Sequence, residues 1–159
     1  MTRLADGDAT GGRRRQEAPT MITRQELDAA AAALLVDAAE AQARRLGVPQ
    51  NIAVVDAGGR LLAFRRMDGA KLHSVDTALA KAFTAASIAG PSGEAPPEAG
   101  TLVGIATRGA FTNLKGGLPV VVDGHVAGAI GIGSGTPDED VACARAAVDA
   151  LERALAREG

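Results

Sequence analysis

The residues that could do chemistry in this sequence are few. Lys81 lies in a helical stretch (about Ser74 to Ala89) whose only charges between Asp76 and Ile88 are Asp76 and Lys81 themselves. On a helical wheel Val75, Leu79, Ala82, Phe83 and Ala86 share one side, which should pack on a sheet. The opposite side carries Thr77, Ala80, Lys81, Thr84 and Ser87 and is poor in charge for a solvated surface, so it is expected to be covered as well. A covered ammonium needs a partner. Two roles stand open for Lys81: base or Schiff-base former with a lowered pKa, or member of a structural ion pair with a carboxylate such as Asp56 or Asp76. Two histidines, His73 and His125, share no metal-ligand spacing, which argues against zinc. A haem iron needs one imidazole only, and His73, ahead of the covered helix, is the better placed. No serine sits in GxSxG, and Cys143, among alanines, reads as a small core residue.

Gly131-Ile132-Gly133-Ser134-Gly135 invites a nucleotide-loop reading. The spacing is GxGxG, not GxGxxG, and no Lys-Ser/Thr follows. Asp138, Glu139 and Asp140 also fill the helix start that a phosphate would use. These glycines therefore serve close packing and a tight strand-to-helix turn.

The elements that position these groups are legible. Asp123-Gly124 between two apolar runs predicts a type I′ hairpin over Lys115 to Gly135. Its returning strand is expected to turn Val126, Gly128, Ile130 and Ile132 to one side and His125, Ala127, Ala129, Gly131 and Gly133 to the other. Asn51–Asp56 and the RLLAFRRM run form a second hairpin around Ala57-Gly58-Gly59. Thr23-Arg24-Gln25-Glu26 has the pattern of a capping box ahead of a helix ending at Gly47, and Ser74 is the expected N-cap of the second helix. PSGEAPPEAG over 91–100 is a breaker-rich loop, and TLVGIATRGAFTNL allows short helical turns. Thr136-Pro137-Asp138-Glu139 opens the last helix with a second capping box and Pro at its first position.

With 159 residues the chain is read as a Gly/Asp/Arg-rich disordered tail over 1–20 and one domain over 21–159. Hydrophobic residues make up 47% and aromatic residues 2%, with no Trp or Tyr. Such a thin core favours extra burial between subunits. A net charge of −2 gives no case for nucleic acid or an anionic membrane. The single cysteine suits a reducing compartment. No apolar run is long enough to span a membrane, and Arg13-Arg14-Arg15 lacks the apolar stretch of an export signal, so a cytoplasmic protein is expected.

AVVDAGGRLLAFRRMDGAKLHSVDTALAKAFTA and GGLPVVVDGHVAGAIGIGSGTPDEDVACARAAV together resemble the GlcG/HbpS family of haem-degrading proteins, whose domain also forms the C-terminal part of PduO-type proteins. The resemblance covers roughly Met21 to Leu155. It implies an α/β (α+β) fold with a single antiparallel sheet of about five strands flanked by helices. It also implies homo-oligomers (octamers, or dimer-based) and, for some members, haem binding or degradation. The positions shared with the family are Asp56, Asp76, Lys81 and the GGxP turn of Gly116, Gly117 and Pro119. With Asn113 just upstream and His73 as the expected ligand of haem iron, they form the expected ligand-binding set, with Lys81 and Asp76 in the catalytic roles. Two functions follow. One is a cytoplasmic haem- or small-molecule-binding protein with possible haem degradation. The other is a cofactor-independent enzyme for isomerisation, cyclisation or decarboxylation of a small metabolite, with Lys81 as base or anchor and Asp76 orienting it.

Overall fold

A computed structural model describes residues 18–158. The tail expected over 1–20, with its Arg13–Arg15 run, lies outside the described residues but for its last three. Eight elements follow in the order α1 (Ala29–Leu46), β1 (Asn51–Asp56), β2 (Leu61–Arg66), α2 (Ser74–Ile88), α3 (Pro97–Ala106), β3 (Gly117–Val122), β4 (His125–Gly133) and α4 (Pro137–Glu158). The strands make one sheet in the order β2-β1-β4-β3, antiparallel throughout. It has four strands where the resemblance implies about five. The helices α1 and α4 cover one face and α2 the other.

The hairpins form as their turn residues dictate. Asp123 and Gly124 have φ of 50° and 77°, the positive pair a type I′ turn needs. In the β1–β2 turn, Asp56 Oδ1 accepts from Gly58 N and Arg60 N, both at 2.9 Å. The pairing of β3 with β4 slips between Val120 and Val121. The irregularity breaks the expected alternation at Ala127, which joins Ile130 and Ile132 in the core instead of lying on the opposite side.

The first helix starts later than the Thr23 capping box predicts. Leu27 is buried and its N–H bonds to the Ala127 carbonyl at 3.0 Å, which ties this segment to the sheet in extended form. Asp28 then caps α1, its Oδ1 accepting from Ala31 N at 2.8 Å. At the other end Gly47, with φ of 69°, closes the helix through hydrogen bonds to Ala43 and Arg44 as predicted. The second capping box forms in full: Thr136 N donates to Glu139 Oε2 at 2.7 Å and Glu139 N to Thr136 Oγ1 at 3.3 Å. Ser74 is the first residue of α2 and not its N-cap, a position held by His73 without a side-chain bond.

The two faces of the sheet are packed differently. Against α1 and α4 lie Leu35, Ile52, Val54, Ile130, Ile132 and Leu151, an ordinary aliphatic core. Against α2 the cluster is Ala53, Val55, Ala78, Ala82, Ala85 and Ala129, with almost no bulk. The reason is backbone proximity. A Cβ on Gly131 would fall 2.1 Å from the Ala78 carbonyl oxygen, and one on Gly117 would fall 2.2 Å from that of Lys81. The helix therefore turns its smallest side to the sheet, and Ser74, Lys81 and Thr84 are buried with it. The predicted packing stripe forms in part: Ala82 is buried on the sheet and Leu79 and Ala86 border that cluster, while Val75, Leu79 and Phe83 stay half-buried, because side chains of that size cannot enter the gap.

Candidate functional site

Between the start of α2, the loop before β3 and the β4–α4 turn lies a cleft of about 200 Å³. His73, Lys71, Lys115 and Leu114 line it at exposed positions, and Lys81 and Asp140 line it from within. Each element contributes for a local reason. The Met67–Ala70 turn delivers Lys71 and His73 to the head of α2. Lys71 N is held by Ser134 Oγ at 2.9 Å, joining the two walls of the cleft. Ser134 itself has a φ of 115°, imposed where β4 turns sharply into α4.

Lys81 is 4% exposed and Asp140 2%. The Lys81 ammonium donates to Asp140 Oδ2 and to the Ile132 carbonyl, both at 2.7 Å. Asp140 Oδ1 in turn accepts from Gly135 N at 3.0 Å. The covered helix side and the partnered lysine agree with the sequence reading, but the partner is neither Asp56 nor Asp76. Asp76 lies five residues before Lys81, about 140° around the helix at 3.6 residues per turn. It faces a separate groove of about 480 Å³ with Leu79, Phe83 and Arg108. Asp56 spends its carboxylate on the β1–β2 turn. Among ligands for Lys81, Asp140 was missed because its place in an acidic helix start already explains it as a complement to the dipole. The available signal was the unpaired lysine on a covered face, which demands some acid without naming it.

The remaining expected residues divide between the cleft and the scaffold. Gly116, with φ of 122°, sits on the ion pair; a Cβ there would come 3.1 Å from Lys81 Nζ and 2.8 Å from Asp140 Cβ. Gly117 allows β3 to approach α2, and its N–H donates to Ser92 Oγ at 2.8 Å. Asn113 acts as a substitute peptide, accepting from Ala95 N at 3.0 Å and donating to Ala95 O at 2.8 Å, which pins the 91–96 loop. Pro119 pairs with Ala129 in the sheet, away from the cleft. His125 is exposed beside the β3–β4 turn, its Nδ1 2.9 Å from the Asp123 carbonyl. Cys143 is buried, and desolvation followed by the nearby Asp140 charge pushes its thiol up to about 11, which fits the core role read from the sequence.

The cleft can be tested against haem on its own donor set. Among the described residues no group of three His, Cys, Asp or Glu is arranged to hold a metal ion. Haem brings four ring nitrogens of its own and asks for one protein ligand. His73 offers that imidazole, and neither of its nitrogens has a hydrogen-bond partner among the described residues. Lys71 and Lys115 offer cations to carboxylates, and Leu114, 50% exposed, offers apolar contact. The groups present fit. At about 200 Å³ the cleft is below the ~300–1,000 Å³ of pockets that enclose a whole ligand, so it would hold part of so large a group.

The chain is similar to proteins of known sequence and structure. The sequence model of a family described as haem-degrading protein HbpS-like matches residues 27–149. An uncharacterised 15.0 kDa protein from the dhaT–dhaS intergenic region of Citrobacter freundii is 37% identical over 125 residues, covering 76% of this chain and 88% of that protein. The crystal structure of Klebsiella pneumoniae protein ORFY superposes with a TM-score of 0.79 at 30% identity, over 85% of this chain and 97% of the other. That of a PduOC–haem complex does so with a TM-score of 0.73 at 29% identity, over 79% and 94%.

Proposed function

This chain belongs to the HbpS-like family of haem-degrading proteins, and on that premise we propose that it binds haem at the cleft below His73. The observation that carries the reading is an exposed imidazole lining a cleft that Lys71 and Lys115 also line. In this reading His73 ligates the iron, and Lys71 and Lys115 attract the ring's carboxylates. Leu114 covers part of its apolar surface. Bound haem would supply redox and oxygen chemistry at its iron. The haem complex of a similar PduOC domain supports the reading, and haem degradation is proposed from the family alone.

We further propose that the chain acts as a homo-oligomer in the cytoplasm. Support for assembly comes from large apolar side chains left at the surface, Leu72 at 77%, Ile105 at 71% and Leu102 at 61% exposure. Among the described residues no helix is long and apolar enough to cross a membrane. Titration with haemin should raise a Soret band that saturates, and His73→Ala should shift that band and weaken binding at least tenfold. Titrations that superpose would overturn the ligand assignment, and no Soret change in the wild type would overturn haem binding.

A further inference from the structure

The ion pair under the cleft has a feature that a purely structural pair does not require. An ammonium carries three N–H donors. Those of Lys81 bond to Asp140 Oδ2 and the Ile132 carbonyl, and among the described residues no third acceptor takes the remaining one. Lys81 and Asp140 both line the cleft and are both buried, which sets the pair at its floor. Asp140 is engaged on both oxygens, by Lys81 and by Gly135 N. It neutralises the lysine without competing for that third position. Above them stand Lys71 and Lys115, so cationic groups outnumber the one carboxylate facing the cleft. Gly116 keeps the space beside the ammonium open, since a side chain there would press on Nζ.

We propose that the floor of this cleft is a carboxylate subsite in which Lys81, fixed by Asp140 and Ile132, donates its third N–H to an anionic oxygen of the ligand. A donor held in place by two internal bonds loses no freedom on binding, and in a site shielded from water its bond to an anion is strong. The carboxylate could be a haem propionate or that of a small free acid; the chemistry is shared. The inference uses the same cleft as the haem reading and deepens it, but it does not require haem to bind.

The test uses two pairs of probes that differ only in charge. By calorimetry, wild-type protein should bind succinate at least tenfold more tightly than succinamide if free acids are the source. Haem should bind at least tenfold more tightly than its dimethyl ester if a propionate is the source. The double variant Lys81→Met with Asp140→Leu, which removes both buried charges together, should lower either preference at least threefold, the remainder coming from Lys71 and Lys115. Should it fail to fold, the Lys81 ammonium resonance of the isotopically labelled wild type carries the test, shifting with the acid and not with its uncharged analogue. The subsite is overturned if neither pair shows a preference, if the folded double variant keeps it undiminished, or if that resonance does not respond. Haem binding without any charge preference would overturn the subsite and the contacts of Lys71 and Lys115, and leave ligation by His73 intact. A succinate preference without haem binding would do the reverse.

Discussion

At the scale of single residues, Lys81 and Asp140 decide most of what the cleft can be. Burying two charges costs several kcal/mol per ion, recovered only when geometry and further hydrogen bonds are good. Here they are good: two bonds of 2.7 Å at the ammonium and an additional backbone donor on the carboxylate. Removing one partner leaves the other charge alone in a dry site. Asp140→Leu should therefore cost about 3–5 kcal/mol in urea unfolding, and Lys81→Met a similar amount. The double variant should recover most of that loss, because an apolar pair of similar volume has no charge to solvate. Additive losses in the double variant would show that the two residues do not act as a pair. Lys81 was legible in the sequence as a buried charge, because Asp76 and Lys81 are the only charges its helix carries. Asp140 was not, since 59 positions separate the two and only the return of α4 beside β4 brings them together.

At the scale of elements, the contact between α2 and the sheet explains why so many glycines and alanines occur in β4 and α2. Gly131 and Gly133 let the helix backbone approach until Ala78, Ala82 and Ala85 fill the gap. Gly131→Ala would place a methyl against the Ala78 carbonyl and the Ala82 nitrogen, backbone atoms that cannot step aside. It should cost about 3 kcal/mol and lower Tm by about 10 °C. Gly124→Ala meets no atom within 4 Å and carries only the penalty of φ +77°, about 1 kcal/mol. Equal losses at the two sites would mean that close packing is not what the glycines provide. The small-residue side of β4 was visible from alternation alone. What it packs against was not, and of the apolar stripe on the wheel of α2 only Ala82 is fully buried on the sheet, because backbone distance and not hydrophobic size sets the limit there.

At the scale of the whole molecule, the same rotation of α2 leaves its larger residues half out. Leu79 and Phe83 line the groove shared with Asp76 and Arg108, and α3 beyond it exposes Leu102 and Ile105. A core of alanines on one face of the sheet and large apolar side chains outside support the proposed homo-oligomer. Replacing Leu102 and Ile105 together by Glu should move the protein to the monomer mass in light scattering, with its far-UV circular dichroism unchanged. An unaltered mass would place any assembly elsewhere. The opposite charges of Asp76 and Arg108 in one groove add a feature that a two-fold contact could use reciprocally.

The sequence by itself determined what depends on near neighbours in the chain. Asp123-Gly124 specifies its turn, Thr136 to Glu139 its helix start and Gly47 its helix end, because φ preferences and capping bonds act over a few residues. It also determined the family, since the motifs around Asp56, Lys81 and the GGxP turn recur in order. Tertiary structure alone decided which of these residues meet. It sent Asp56 and Asn113 to hold loops, turned Asp76 away from Lys81, and joined His73, Lys71, Lys115, Lys81 and Asp140 around one cleft. Electrostatic pairing and backbone contact depend on distance in space, and residues far apart in the sequence acquire that distance only when the sheet closes and α2 and α4 settle against it.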